Sequence, residues 1–230
     1  MVNFDFIIVA DSISRELLGI TKACIDSIYD TADIYIPNII IVEGNKDVFH
    51  DRATTIHYDF KFNYNKCLNL GLKHSTSFYK ALCNNDLIFQ DNWCQDIMKG
   101  FTLGFGSLSP YCLNSHKKRL PIGQHILKGS RVGYELAGWC RFITDETLRA
   151  IGKLDEGVVF WYSDNIYSEQ LSVKEIDHGL VCSSFVTHIE SQTLSRIHGV
   201  AKKELTTSQK KNFYERRNMI LFDKVNKKIY

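Results

Sequence analysis

Three short polar stretches interrupt apolar runs in the first ninety residues: Asp11-Ser12, Glu43-Gly44-Asn45 and Asn84-Asn85-Asp86. Each follows a stretch rich in Ile, Val, Phe or Leu that reads as a buried strand. Later, Ser163-Asp164-Asn165 breaks "VVFWY" from a helical stretch, and His188 ends the apolar run "HGLVCSSFVTH". A carboxylate in such a place can hold a hard cation through oxygen or take the proton of a hydroxyl group. The seven cysteines, at 24, 67, 83, 94, 112, 140 and 182, include no C-x-x-C pair. That spacing argues against a zinc site or a disulfide frame and for reduced thiols in a cytoplasmic protein, with Cys24 and Cys83 as core filler.

These residues need elements to hold them. "FDFIIVA" (4–10), "NIIIVEGN" (38–45), "TTIHYDF" (54–60) and "FYKALCNND" read as strands. Leu17, Leu18, Thr21, Cys24, Ile25 and Ile28 recur at helical spacing behind Ser14, a plausible N-cap, and "NYNKCLNLGLKHS" (63–75) gives a second helix. The order β-α-β-β-α-β implies an α/β domain with a mostly parallel central sheet flanked by helices. Ligands of such sheets bind beyond the carboxyl ends of the strands, so the three polar stretches should gather along one edge. The Asn84–Asp86 triplet is then the lip of a crevice, and "LIFQ" starts the next element.

Residues 99–137, with six glycines and two prolines, read as loop-rich, and His116-Lys117-Lys118-Arg119 as a compact basic run. Order returns with a strand at 138–143, a short helix capped near Thr144 or Asp145, a "VVFWY" strand before Asp164, and a strand ending at His188. Residues 201–230 are helical and basic. They carry nine Lys and Arg against Glu204, Glu215 and Asp223, a net +6 within a chain total of +2. Such a tail is either a solvated helix face or a platform for an anionic partner such as nucleic acid or a membrane surface. No run approaches the ~20 apolar residues of a membrane-spanning helix.

The order of these segments resembles the GT-A fold glycosyltransferases, most nearly the family 2 type. "IIVADS", "IIIVEGN", "NYNKCLNLGLKHSTSFYKALCNND", "GWCRFITDETLRAIGKLDEGVVFWYSDNIYSEQL" and "FVTHIESQT" stand in that family's sequence, over about residues 4–195. The family's Asp-x-Asp metal motif is here Asn84-Asn85-Asp86, with only the last carboxylate kept. The resemblance implies a nucleotide-binding half at about 1–98, an acceptor half at about 99–200, and a basic helical extension at 201–230 packed on the same domain.

It also implies roles. Ala10, Asp11, Ser12 and Glu43 would line the base and ribose of a nucleoside-diphosphate sugar. Asn65, Lys66 and Asn69 would meet base or phosphates, and Asn84, with Asn85 beside it, the ribose. Asp86 and His188 would hold Mn²⁺ or Mg²⁺. Asp164 would be the general base of an inverting transfer, with Asp155-Glu156 as the rival pair. Trp139, Trp161 and Tyr162 would stack on the acceptor. Plainer readings stand beside these: a turn cap for Asp86, a satisfied histidine for His188, a helix cap for Asp164 and a core role for Trp139. An anionic acceptor suits the basic tail, and DNA carrying hydroxylated (hydroxymethyl) bases, as modified by bacteriophage enzymes of the host cytoplasm, is one. A glycan or small-molecule acceptor, a non-catalytic nucleotide-sugar-binding protein and a nucleotidyltransferase are the alternatives. The last wants a Gly-rich phosphate loop that "VADSISRELLG" lacks.

Overall fold

Continuous apolar sequence becomes the centre of the sheet. In the computed structural model, which describes residues 1–116, 125–189 and 199–227, β1 (Val2–Ala10) is buried from Phe4 to Ala10. Its alternate residues serve two faces. Phe4, Phe6 and Ile8 pack with Cys24, Ile25 and Ile28 of α1 (Arg15–Asp30) and with Trp93. Ile7 and Val9 pack on the other face with Cys67 and Leu68 of α2 (Tyr64–Leu72). Burial on both faces is what a continuous apolar strand predicts.

β1 runs parallel to β2 (Tyr35–Glu43) on one side and to β4 (Tyr79–Asn84) on the other, and β3 (Thr54–His57) extends the parallel set from β2. Ser14 caps α1 by accepting from the Leu17 amide at 3.2 Å, and Asn63 caps α2 by accepting from Lys66 at 3.0 Å. The expected parallel half is therefore present.

The second half is mixed. β8 (Cys140–Thr144) lies antiparallel to β4, and β6 (Ser107–Tyr111) antiparallel to β8. β9 (His178–His188) runs parallel to β6 and antiparallel to both β5 (Leu87–Phe89) and β7 (Ile126–Lys128). The order across the sheet is β3-β2-β1-β4-β8-β6-β9-β5, with β7 beside β9. Parallel character is thus concentrated in the first ninety residues. Helices α3 (Trp93–Thr102), α4 (Leu113–His116), α5 (Asp145–Ile151), α6 (Ser163–Val173) and α7 (Gly199–Lys227) complete the chain.

Two expectations are corrected. The loop-rich region 99–137 contains β6, whose five residues are all buried. Pro110 concealed it, since proline gives no hydrogen to a ladder. The pairing with β8 stops at Leu108, and the register with β9 shifts between Pro110 and Tyr111, so the missing N–H is accommodated. The expected "VVFWY" strand is not one: residues 157–162 are bends and turns that end on Tyr162, the N-cap of α6, at φ +68°. Those apolar side chains have separate neighbours rather than a shared strand partner. Lys117–Arg119 of the basic run lie outside the described residues. All seven cysteines are buried, and no helix among the described residues is long and apolar enough to cross a membrane.

Candidate active site

The ladder itself brings the polar strand ends together. Ala10 stands opposite Glu43, and Val9 opposite Asn84. The first two turns then bond to each other: Gly44 N donates to Ala10 O at 3.0 Å, and Asn45 Nδ2 to Ser12 O at 3.0 Å. Glu43 is the anchor. Its carboxylate accepts from Ser12 N and Ser12 Oγ at 2.8 Å each and from Asn45 N at 3.0 Å, and His50 Nε2 lies 2.8 Å away. Burial alone would raise its pKa, but the hydrogen bonds from His50, Asn45 and Ser12 outweigh that and bring it down to about 2. The carboxylate is fully buried. It holds the Asp11-Ser12 turn and leaves no acceptor position for a ribose or base, which corrects the contact expected of it. Gly44 lets two side chains close over the turn: a Cβ would lie 2.8 Å from Asp11 Oδ1 and 2.8 Å from Tyr58 Oη, and both would have to shift.

The Asn84–Asp86 lip splits its residues three ways. Asn84 Oδ1 accepts from Tyr64 Oη at 2.8 Å. Asn85 Nδ2 turns back to donate to Thr21 Oγ1 of α1 at 2.8 Å. Asp86 starts the turn into β5, whose Leu87 pairs with His188. This pairing brings His188 Nε2 to 3.2 Å from Asp86 Oδ1. Asp86 is buried, and among the described residues Oδ1 makes no well-aligned hydrogen bond, its approach to His188 being that of an ion pair. A buried carboxylate oxygen satisfied only by that contact has room for a further partner. An imidazole nitrogen and a carboxylate oxygen suit a divalent cation of the Mn²⁺ type. No cluster of three or more His, Cys, Asp or Glu occurs among the described residues, so other positions on such an ion would fall to ligand and water. The Trp139 ring stacks on His188 at 5.2 Å and 19°, fixing the plane of the imidazole.

Next to the lip is a cavity of about 420 Å³ whose lining includes Asn84, Trp139, Trp161, Tyr162, Asp164 and His188. Sequence positions 84 to 188 thus meet in one space of ligand size. Asp164 sits in the first turn of α6, where an anion is favoured. Burial raises its pKa, against a partial opposing effect of Arg141. A carboxylate held this way is a better proton acceptor once ionised. Its side chain packs on Gly138, where a Cβ would come within 2.6 Å of Oδ2. The rival pair has other work: Asp155 is bonded by Arg216, and Glu156 accepts from Asn69 Nδ2 at 2.8 Å.

Asn65 and Asn69 do not join this cavity. Asn65 Nδ2 donates to Asp155 O at 2.7 Å, and Asn69 Nδ2 to Leu154 O at 2.8 Å, so both amides hold the segment after α5. Lys66 and Asn69 line a second groove with Phe60, and the Lys66 ammonium lies 4.1 Å from the Phe60 ring centre. Three neighbours of the main cavity escaped the sequence reading: Tyr64, Gly138 and Arg141. Arg141 is fully buried above the Tyr167 ring at 4.7 Å, and its three nitrogens have no hydrogen bond among the described residues. Its one visible signal is a charge inside the apolar run "GWCRFIT".

Neither a family model nor a curated protein matches the sequence. A solved structure matches the fold: a crystal structure of GalNAc-T7 with UDP, GalNAc and Mn²⁺, at TM-score 0.65 over 84% of this chain and 45% of that one. The fold is GT-A-like. At 12% identity the likeness is one of fold, and this chain spans less than half the length of GalNAc-T7.

Proposed function

We propose that this protein is a metal-dependent, inverting glycosyltransferase that moves a sugar from a nucleoside-diphosphate sugar to an acceptor hydroxyl. The observation that carries the reading is the meeting of Asn84, Trp139, Asp164 and His188 in one cavity, with Asp86 Oδ1 paired to His188 Nε2 at its edge. The GT-A-like fold supports it, as does the neighbour's content of UDP, GalNAc and Mn²⁺.

Asp86 and His188 would hold the cation. When bound, it would offset the charge that grows on the leaving diphosphate. Asp164 takes the acceptor's hydroxyl proton as the acceptor oxygen bonds to the anomeric carbon. The bond from that carbon to the diphosphate oxygen breaks in the same displacement, which inverts the centre. Trp139, Trp161 and Tyr162 present flat apolar faces on which a sugar or a base stacks. Ala10, Asp11 and Ser12 line the nucleotide side, with Glu43 fixing their turn.

Two acceptor readings follow from α7. Lys210 and Lys211 are exposed, which favours an anionic acceptor such as DNA with hydroxymethylated bases. Arg216 and Arg217 are committed to Asp155 and Glu169, which favours an uncharged glycan or small molecule.

Thermal stabilisation by a panel of nucleoside diphosphates and their sugars, with Mn²⁺ and with EDTA, tests the reading without knowing the acceptor. A ligand at 100 times its dissociation constant adds about 2.7 kcal/mol. The expected result is a shift with one nucleotide that EDTA abolishes and Asp86→Ala removes. No shift with any nucleotide sinks the proposal.

A further inference from the structure

The cavity's aromatic wall has no secondary structure to hold it. Residues 157–162 pair with no strand, and Tyr162 sits in the left-handed region at φ +68°, which a tyrosine rarely adopts. Such a backbone persists only where its surroundings over-determine it. Here they act from two sides. From α2, Asn63 Nδ2 donates to Glu156 O and Val158 O at 2.9 and 3.0 Å, and Tyr64 N to Val159 O at 2.7 Å.

From α7 the grip is as close. Gln209 Oε1 accepts from Phe160 N at 2.8 Å. The Phe213 ring stacks on Tyr162 at 5.2 Å and 15°, buried with Val158 and Ile166. Arg216 bonds both carboxylate oxygens of Asp155, Nε to Oδ1 at 3.1 Å and Nη2 to Oδ2. Gly157 makes room for it: a Cβ there would lie 2.5–2.6 Å from Arg216 Nε, Cδ and Cγ. Arg217 ties the helix to Glu169 of α6 at 2.6 Å. A basic tail serving only as a solvated arm would need none of these contacts.

We propose that α7 is an internal brace for the acceptor wall: Gln209, Phe213 and Arg216 are positioning residues that fix Phe160, Trp161 and Tyr162. The brace thereby sets which flat-faced acceptor the cavity admits. The role of the wall in acceptor binding rests on the function proposed above; the brace does not. Ordering these rings before a ligand arrives removes the cost of ordering them on binding. Contacts made by α7 therefore govern acceptor selection, while the donor side stands on the sheet.

Hydrogen exchange on the full chain, with no ligand, tests this directly. Amides of 157–163 are compared in wild type, Phe213→Ala and Phe213→Tyr, with β1 amides as the reference. Phe213→Ala is expected to lose protection in 157–163 by about ten-fold or more, with β1 unchanged, since local opening is separable from global unfolding. Phe213→Tyr, which keeps the stacked ring, is expected to restore it, and acrylamide quenching of tryptophan fluorescence should rise in the Ala variant alone as Trp161 is released. Unchanged protection in 157–163 overturns the brace. If Phe213→Ala exposes β1 as well, Gln209→Ala decides. There, loss confined to 157–163 supports the brace and no loss overturns it. UDP with Mn²⁺ is the separate arm for the site. A confirmed brace in a protein that no nucleotide stabilises would leave the brace standing and remove the transferase reading.

Discussion

The lip at Asn84–Asp86 and the wall at Phe160–Asp164 contribute to one site by opposite means. Backbone ladders place the lip. Asn84 is in register with Val9, and Asp86 meets His188 because β5 pairs with β9. The wall is placed mainly by side chains from other elements, Asn63 on one side and Gln209, Phe213 and Arg216 on the other, with one main-chain bond from Tyr64 N to Val159 O. A ladder tolerates most exchanges of its neighbours' side chains, because its bonds are main-chain bonds. A stapled loop depends on every staple. Remote substitutions should therefore disturb acceptor chemistry far more than donor binding.

The largest expected effect separates chemistry from both scaffolds. Asp164→Asn removes the proposed base while keeping the shape. We expect transfer to fall about 10²–10⁴-fold, the range for losing general base catalysis. Folding should not suffer. Because burial raises the pKa of Asp164, the folded state penalises its ionisation. That penalty grows as pH rises past the ordinary carboxylate value, so the Asn variant should melt at the same temperature or higher at pH 7. Full activity in the variant would assign the base elsewhere, and a large drop in melting temperature would make Asp164 a structural residue.

Glu43→Gln probes the anchor of the donor edge. With a folded pKa of about 2 against an ordinary 4.5, Glu43 contributes stability above pH 4.5 that is lost as pH falls toward 2. The substitution should cost about 3 kcal/mol near neutral pH, read from denaturant midpoints. It should also remove part of the acid-unfolding slope between those two values. A cost below about 0.5 kcal/mol, the scale of an ordinary surface change, would mean that the turn is held without it.

Gly138→Ala tests the contact between the turn ahead of β8 and the wall. The added Cβ would meet Asp164 Oδ2 at 2.6 Å. Overpacking of this kind costs about 1–3 kcal/mol. Here the greater loss is expected in activity, because the carboxylate itself must move. Unaltered transfer kinetics would show that the position of Asp164 is not set by this contact.

The same division explains what was legible in the sequence. Runs such as "FDFIIVA" and "NIIIVEGN" announce a strand and its polar end together, so the gathering of three polar strand ends at one sheet edge could be read directly, whereas Asp86 and His188 were linked only through the family resemblance. "VVFWY" also looks like a strand, since local composition favours one. It is a loop because partners at 63, 209, 213 and 216 hold it, and none of those distances is visible in a linear pattern. Glu43 failed for a related reason. An acidic residue after a strand reads alike whether it faces a ligand or, as here, Ser12, Asn45 and His50. β6 was hidden by Pro110, and Asn65 and Asn69 by a polarity that serves the 154–156 backbone instead of a ligand.

The smallest effect on stability belongs to the outer face of α7, and it sharpens the contrast with the inner one. Lys210 and Lys211 are exposed, whereas Arg216 and Arg217 are paired inward. Replacing both lysines with alanine should leave stability within about 0.5 kcal/mol, since the one ion pair lost, Lys211 with Glu215 at 3.9 Å, is exposed. If an anionic polymer such as DNA is the acceptor, each phosphate contact contributes roughly −0.9 to the slope of log affinity against log salt. The double variant should then flatten that slope by up to about 2 while leaving nucleotide stabilisation unchanged. A slope near zero in the wild type, with transfer retained at high salt, would exclude the polyanion. The neutral-acceptor reading would then stand, and the charge on α7 would be a solvated face over a helix whose function lies in its buried contacts.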